Sequence, residues 1–313
     1  MFQEILNEII EYNRIIIHRH ANPDGDAIGS QVGLKNILKT NFPGKEVYAV
    51  GDSAGRYSFI EDSTPDVIND SAYEGALAII LDTSAASLIS DSRYTLAAKS
   101  ARMDHHIFCE KIADVEMTDT SYESCCGLVT DFARQCKLDI PPVAAKALYT
   151  GMVTDSGRFR YESTTAKTHA LASHLMQTPF TTQDIYSNLY SDDLERVQLR
   201  ASFVLKIRKT DRRVAYIYTT REEALATGAD DFTLSRGMVN TMAEIRGIDS
   251  WVNFTESEKG VLCEIRSSKH NINPIAVKYG GGGHKAASGA TLKDREEAMR
   301  LLEDLCALDT EGN

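Results

Sequence analysis

Six cysteines stand in 313 residues, none of them in a CxxC pair and none in a regular framework. A zinc ribbon and a disulfide scaffold are therefore excluded, and a reducing compartment is expected. No apolar run reaches about 18 residues, the length that would span a bilayer. The opening FQEILNEIIEYN carries acids where a secretory signal carries bases. Neither export nor a membrane is expected, which leaves the cytoplasm. Cations are also in short supply: 34 Lys and Arg face 45 Asp and Glu, a formal net charge of -11. That balance argues against a wide, sequence-independent grip on a nucleic-acid backbone, and so against a long duplex as partner. A small anion stays open, because a few local cations or metal ions can reverse the sign inside one cleft. Repeats, low-complexity tracts and Pro/Gly/Ser-rich linkers are missing too.

What remains is 42% hydrophobic and 25% charged, enough for two domains with separate cores. In the first half, RIIIH, KEVYAV, ALAIILD and the run around ARMDH alternate with helical patterns. The first of these patterns runs from about Asp26 to Lys39. Near-continuous apolar strands separated by helices indicate an α/β, doubly wound, mostly parallel sheet, whose ligands bind beyond the carboxyl ends of the strands. SCCGLVTDFARQCK and PPVAAKALYTGMVTD read as further helices. In the first of them, Cys125 and Cys126 read as small packed residues rather than redox groups. The segment from about 183 to 209 reads as a connecting helix, with the domain boundary near Asp192, giving domains 1–191 and 192–313. Strand-like RRVAYIYTT, SWVNFTES and GVLCEIRSS, with helices near Thr233 to Ile245, at NINPIAVKYG and at EEAMRLLEDLCAL, predict a smaller α+β domain.

Polar residues collect at the strand ends. HRHANPDGDAIGS places His20, Asp24 and Asp26 in one strand-to-helix loop, although Asp24 and Asp26 read equally as a turn and an N-cap. Asp82 ends ALAIILD, and Asp104, His105 and His106 end the next strand. Three successive strands delivering Asp or His to one sheet edge are hard to attribute to packing, since such a group desolvates badly without a cation. Asp155, in TDSGRF, joins the set or merely ends a helix before Gly157. Carboxylates mixed with a few imidazoles, and no thiolates, suit Mn²⁺ better than structural Zn²⁺. One bridging carboxylate would make a two-metal site for phosphate-ester hydrolysis. In the second half, Gly281, Gly282 and Gly283 lie within GGGGHKAASG, where glycine lets backbone N–H groups form a nest for phosphate oxygens; a flexible turn is the alternative. His284, Arg266 and Ser267 could add donors to the same anion, with a surface salt bridge the plainer reading of Arg266.

HRHANPDGDAIGS, LDTS, MDHH and TDSGRF resemble, in order, the four motifs of the DHH phosphoesterase superfamily. GGGGHKAASG resembles the glycine-rich signature of the DHH-associated C-terminal domain. The resemblance spans nearly the whole chain. It implies a catalytic cleft between the two domains, with one divalent ion on His20, Asp24 and Asp82, and a second on Asp26, Asp82, His105 and Asp155. It further implies that His106 faces the substrate phosphate, that Asp104 orients the imidazoles, and that Asp82 is the bridge. Arg266, His284 and the glycine backbone would then hold the substrate's far end. Size resembles the branch acting on very short oligonucleotides and 3′-phosphoadenosine-5′-phosphate. A cyclic di-AMP phosphodiesterase is the runner-up, followed by a RecJ-like single-strand exonuclease and a non-catalytic nucleotide sensor on the same fold. The implied partner is a short oligonucleotide or small nucleotide, and a homodimer is compatible with it.

Overall fold

A computed structural model describes residues 2–308. Two units emerge, the first ending at Ser191 and the second beginning at Asp192. In the first, α1 (Phe2–Glu11) buries Ile5 and Ile9, and the chain continues through β1 (Arg14–His18), α2 (Gly25–Asn41), β2 (Glu46–Ala49), β3 (Leu77–Leu81), β4 (Lys99–Asp104) and β5 (Val115–Thr118). Four helices follow: α3 (Cys125–Gln135), α4 (Pro142–Asp155), α5 (Ala166–Leu175) and α6 (Thr182–Tyr190). The strands pair in the order β2-β1-β3-β4-β5, every pair parallel. Ile15, Ile16 and Ile17 are all fully buried, as are Leu77 through Leu81, because a parallel sheet is covered on both faces. The chain leaves β1 toward β2 on one side and returns as β3 on the other. That reversal opens a crevice at the carboxyl ends of β1 and β3.

Glycine sets the approach of the two helices that flank this crevice. A Cβ at Gly29 of α2 would come within 2.6 Å of the Ala147 carbonyl oxygen of α4. One at Gly151 of α4 would meet Cys126 Sγ at 2.2 Å and the Asp26 Cα at 3.0 Å. A side chain at either position would force the helices apart, and with them Asp26 near the start of α2 and Asp155 at the end of α4.

The second unit comprises α7 (Leu194–Lys206), β6 (Arg208–Lys209), β7 (Val214–Thr219), α8 (Arg221–Thr227), β8 (Ser250–Ser257), β9 (Gly260–Ser267), α9 (Asn273–Lys278), β10 (Gly282–Gly283), β11 (Ala287–Leu292) and α10 (Arg295–Ala307). Its sheet runs β10-β11-β9-β8-β7-β6, antiparallel except for the β7–β8 pair. One face carries Val252, Phe254, Ile265, Leu301 and Leu305; the other carries Phe203, Ile217 and Trp251. Among the described residues, no helix is long and apolar enough to cross a membrane.

Two expected helices form differently. The stretch 183–209 is not one connecting helix but α6 and α7, broken where Ser191 and Asp193 turn extended (ψ 134° and 154°). Ser and Asp side chains compete for local backbone groups, which favours such ends over helix interiors. The stretch from Thr233 to Ile245 is a wide π turn at Thr233–Gly237 followed by a 3₁₀ turn at Val239–Met242. The buried Asn253 amide donates 2.7 Å bonds to the carbonyls of both Leu234 and Ser235, engaging acceptors that a regular helix would have satisfied itself.

Candidate metal centre and anion cavity

Three parallel strands release their chains at the crevice, and each delivers a group to it. His20 lies two residues beyond β1, Asp82 directly follows β3, and Asp104 ends β4 just before His105 and His106. Asp82 is 2% exposed and adopts φ +51°, a left-handed conformation uncommon outside glycine and asparagine that holds its carboxylate under the site. His20 Nε2 stands 3.5 Å from one Asp82 oxygen and 3.8 Å from Asp24; His105 Nε2 stands 3.4 Å from the other Asp82 oxygen, 3.6 Å from Asp26 and 3.5 Å from Asp155. The donor atoms of His20, Asp24 and Asp82 fall within 4.8 Å of one another, as do those of Asp26, His105 and Asp155, and those of Asp82, His105 and His106. Asp82 Oδ1 is buried, with no hydrogen-bond partner among the described residues. An orphaned buried carboxylate oxygen facing imidazoles and further carboxylates fits a cation, which would remove the cost of burying it unpaired. The donors are oxygen and imidazole nitrogen, a set suited to a hard or intermediate divalent ion.

Each of these groups is aimed by a neighbour. Asp24 is the N-cap of α2, its Oδ1 accepting the N–H groups of Asp26 and Ala27 at 3.0 Å, so the capping role and a place in the cluster coexist. Both oxygens of Asp26 accept N–H bonds, from Cys125 at 2.7 Å and Cys126 at 2.8 Å, where α3 begins. The positive end of that helix meets a carboxylate. His20 Nδ1 donates to the Ala21 carbonyl at 2.8 Å, which turns Nε2 toward the carboxylates. Asp104 bonds His106 Nδ1 at 2.7 Å and receives the buried guanidinium of Arg102. The cavity at this edge, about 260 Å³, is lined by His20, Asp24, Asp82, Ser84, Leu88, His105, His106 and Asp155.

Crowding of charge shifts the titrations. Burial opposes protonation of His20 and His105, yet the carboxylates of Asp24 and Asp82 on the first, and of Asp82 and Asp26 on the second, outweigh it and push both up to about 10. Burial and the nearby Asp82 raise Asp26, and burial raises Asp155 to about 6. Burial also works against Asp82, but the neighbouring imidazoles of His105 and His20, charged as they become protonated, hold it ionised. The Asp104 bond raises His106. In the absence of a metal, protons therefore neutralise this cluster, and a binding cation would displace them.

The second unit carries a larger cavity, about 630 Å³, lined by Arg266, Gly281, Gly282, Gly283 and His284 together with Arg236 and Glu264. The glycine run differs from an open nest. Gly282–Gly283 forms β10 against β11, and the N–H groups of Gly280, Gly281 and His284 are taken by the carbonyls of Val277, Ala276 and Ala287. A Cβ at Gly281 would meet the Gly289 oxygen at 2.0 Å, whereas nothing lies within 4 Å of one at Gly282. Close strand pairing accounts for the first glycine. Arg266 Nη1 donates to Glu264 at 3.0 Å and to the Ile265 carbonyl at 2.8 Å. Ser267 is not on the cavity: its buried hydroxyl donates to the Asp249 carbonyl and accepts from Ser250 Oγ and from the N–H groups of Lys269 and His270.

Sequence reasoning missed Arg102, Arg236 and the two amides that hold Asp26. A charged residue inside the apolar run ARM was a legible sign of the first. Arg236 gave none, because it reaches the cavity from the π turn. The amides follow from Ser124, whose hydroxyl accepts the Gly127 N–H as the N-cap of α3.

The chain matches the DHH family, N-terminal domain, over residues 14–152 and the DHHA1 domain over residues 227–308. It is 35% identical over 308 residues to the bifunctional oligoribonuclease and PAP phosphatase NrnA of Bacillus subtilis, covering 97% of each chain. It is 25% identical to the cyclic-di-AMP phosphodiesterase PdeA of Listeria monocytogenes, across 99% of this chain but 49% of that protein. An exopolyphosphatase-related protein from Bacteroides fragilis has a similar structure, with a TM-score of 0.83 at 25% identity over 97% of this chain and 94% of its own. Strand-end carboxylates and imidazoles, full-length likeness and both domain matches agree that this chain belongs to the DHH family of phosphoesterases.

Proposed function

We propose that this chain hydrolyses very short oligonucleotides of the pApA and pGpG type, and 3′-phosphoadenosine-5′-phosphate, with two divalent ions, preferably Mn²⁺. The observation that carries the reading is Asp82: a buried carboxylate with one orphaned oxygen, flanked by His20 on one side and His105 on the other. In this reading His20, Asp24 and Asp82 hold one ion, Asp26, Asp82, His105 and Asp155 hold the other, and Asp82 is shared. When bound, the ions supply Lewis acidity and lower the pKa of a water from about 15.7 toward 7. His106 has Nδ1 engaged by Asp104, which leaves Nε2 to donate to a phosphoryl oxygen and to share the charge that builds there. Asp104, itself fixed by Arg102, keeps that imidazole oriented and protonated to higher pH. Arg266 and His284 hold the substrate's far phosphate in the second unit's cavity, whose wall includes Gly281, Gly282 and Gly283. Ser267 has no part in this. The enzyme works in the cytoplasm, on a short oligonucleotide or small nucleotide, without a membrane or a long duplex, and as a homodimer if it assembles.

The likeness to the NrnA protein runs the full length of both chains and favours the linear substrates over cyclic di-AMP. The deciding experiment supplies purified protein and Mn²⁺ with pApA, pGpG, cyclic di-AMP, 3′-phosphoadenosine-5′-phosphate and a long single strand. Fast release of mononucleotides from the linear dinucleotides, with the long strand nearly untouched, is expected. Preferential consumption of cyclic di-AMP would replace the substrate assignment, and no cleavage at all would leave a nucleotide sensor.

A further inference from the structure

Beside the acidic centre, the first unit carries a small surface of opposite character. Two residues after Asp155 the chain takes three consecutive left-handed residues, Gly157, Arg158 and Phe159, with φ of +56°, +65° and +61°. Two of these are not glycine, a costly conformation that the surrounding structure has to maintain. One result is the placement of Arg158, whose guanidinium lies over the Tyr190 ring at 4.7 Å. A second pair sits alongside it: Arg56 stacks on Tyr57 at 5.2 Å and donates to the carbonyl of Leu189, the residue before Tyr190. Tyr186 adds a further ring, 5.9 Å from Tyr190. The phenol of Tyr190 lies within electrostatic reach of both Arg158 and Tyr57, and that of Tyr57 within reach of Asp24. Two cation–ring pairs thus form one strip that borders the metal-binding cluster at Asp24 and at Asp155.

Several exposed arginines, such as Arg134, Arg213 and Arg300, pair with a carboxylate, while Arg236 and Arg295 lie over the rings of Phe232 and Tyr218. Among the described residues no carboxylate pairs with Arg56 or Arg158, although the chain carries a net charge of -11. Ring faces hold both guanidiniums in place without neutralising them. Fixed cations interleaved with half-exposed tyrosines are what a single-stranded nucleotide chain recognises, its phosphates by charge and its bases by stacking.

We propose that Arg56, Tyr57, Arg158 and Tyr190 form a strand-tracking subsite that binds the nucleotide next to the one being cleaved, and so favours di- and trinucleotides over mononucleotides. This rests on the short-oligonucleotide reading given above. The subsite holds substrate and takes no part in bond breaking.

The test compares the wild-type protein with the double variant Arg56→Gln/Arg158→Gln on 3′-phosphoadenosine-5′-phosphate, pApA and pApApA with Mn²⁺. Both side chains are exposed, so the fold is kept. KM for pApApA should rise about ten-fold with kcat unchanged, while 3′-phosphoadenosine-5′-phosphate, too short to reach the strip, is turned over as before. The slope of log KM against log salt should fall by about 1.4, roughly 0.7 for each lost phosphate contact. A merely structural role would leave that slope alone. Binding of a fluorescently labelled pApApA to metal-free protein, measured in parallel, separates the two claims. Turnover with identical pApApA binding and KM in both proteins overturns the subsite and leaves the catalytic reading standing. No turnover by either protein, with weaker pApApA binding by the variant, supports the subsite and overturns the catalytic reading.

Discussion

Around Asp82 the first unit buries Asp26, Asp82 and Asp104 and fixes its polar groups by one another, whereas the second unit sets Arg266 and His284 on the wall of an open cavity of about 630 Å³. In the first, Arg102 holds Asp104, Asp104 holds His106, and two helix amides hold Asp26. In the second, one guanidinium leans on Glu264 and the imidazole is exposed. The contrast follows from the tasks proposed for them. Atoms that assist bond breaking must already be in position, because reorganisation would add to the barrier. A group that grips a remote phosphate can settle as the ligand arrives.

That contrast can be broken at several points. Asp82→Asn keeps the shape and a residue type that tolerates φ +51°, but removes the shared charge. Turnover of pApA should fall at least ~10³-fold, about 4 kcal/mol of transition-state stabilisation, while circular dichroism shows the variant still folded. Arg266→Ala should act on binding alone, with KM up about ten-fold, a loss of roughly 1.4 kcal/mol, and kcat little changed in steady-state kinetics. A fall in kcat at constant KM would move Arg266 to the reaction centre. Gly281→Ala should destabilise the second unit by about 1–3 kcal/mol through collision with the Gly289 carbonyl, with Gly282→Ala near neutral, as read by urea melts. Equal losses from both, in KM instead of stability, would return the run to an anion-binding nest.

The smallest effect concerns pH. His20 and His105 are raised from 6.5 to about 10, so their contribution to metal-free stability is complete below pH 6.5 and lost as pH climbs toward 10. Metal-free protein in EDTA should lose at least about 3 °C of thermal midpoint across that window, the equivalent of roughly 1 kcal/mol. Mn²⁺ affinity should strengthen over the same range, since the ion competes with those protons. A metal-free midpoint that stays level or rises would remove the proton-neutralised cluster.

The two units also differ in how much of them could be read beforehand. RIIIH and ALAIILD announce strands buried on both faces, so the sequence alone places Asp82 and the HH pair at one edge. Asp24 could not be resolved as cap or cluster member, because one carboxylate performs both functions. β5, only Val115–Thr118 and half polar, offered no apolar run to notice. In the second unit the glycine run suggested a nest, yet two of its members form a strand, since glycine permits close backbone pairing as readily as close anion approach. The helix expected near Thr233 to Ile245 was lost to Asn253, a buried amide twenty residues from Thr233 that periodicity could not connect with it. Local patterns forecast elements whose partners are local or generic, and fail where one distant side chain decides.

The central claim, that Asp82 is shared by two ions, is tested most directly by counting Mn²⁺ per chain in equilibrium dialysis of wild-type protein and of Asp82→Asn at pH 8. Two ions per wild-type chain are expected, with the variant folded but unable to retain the pair. A folded variant that still holds two ions and cleaves pApA at the wild-type rate would contradict the account.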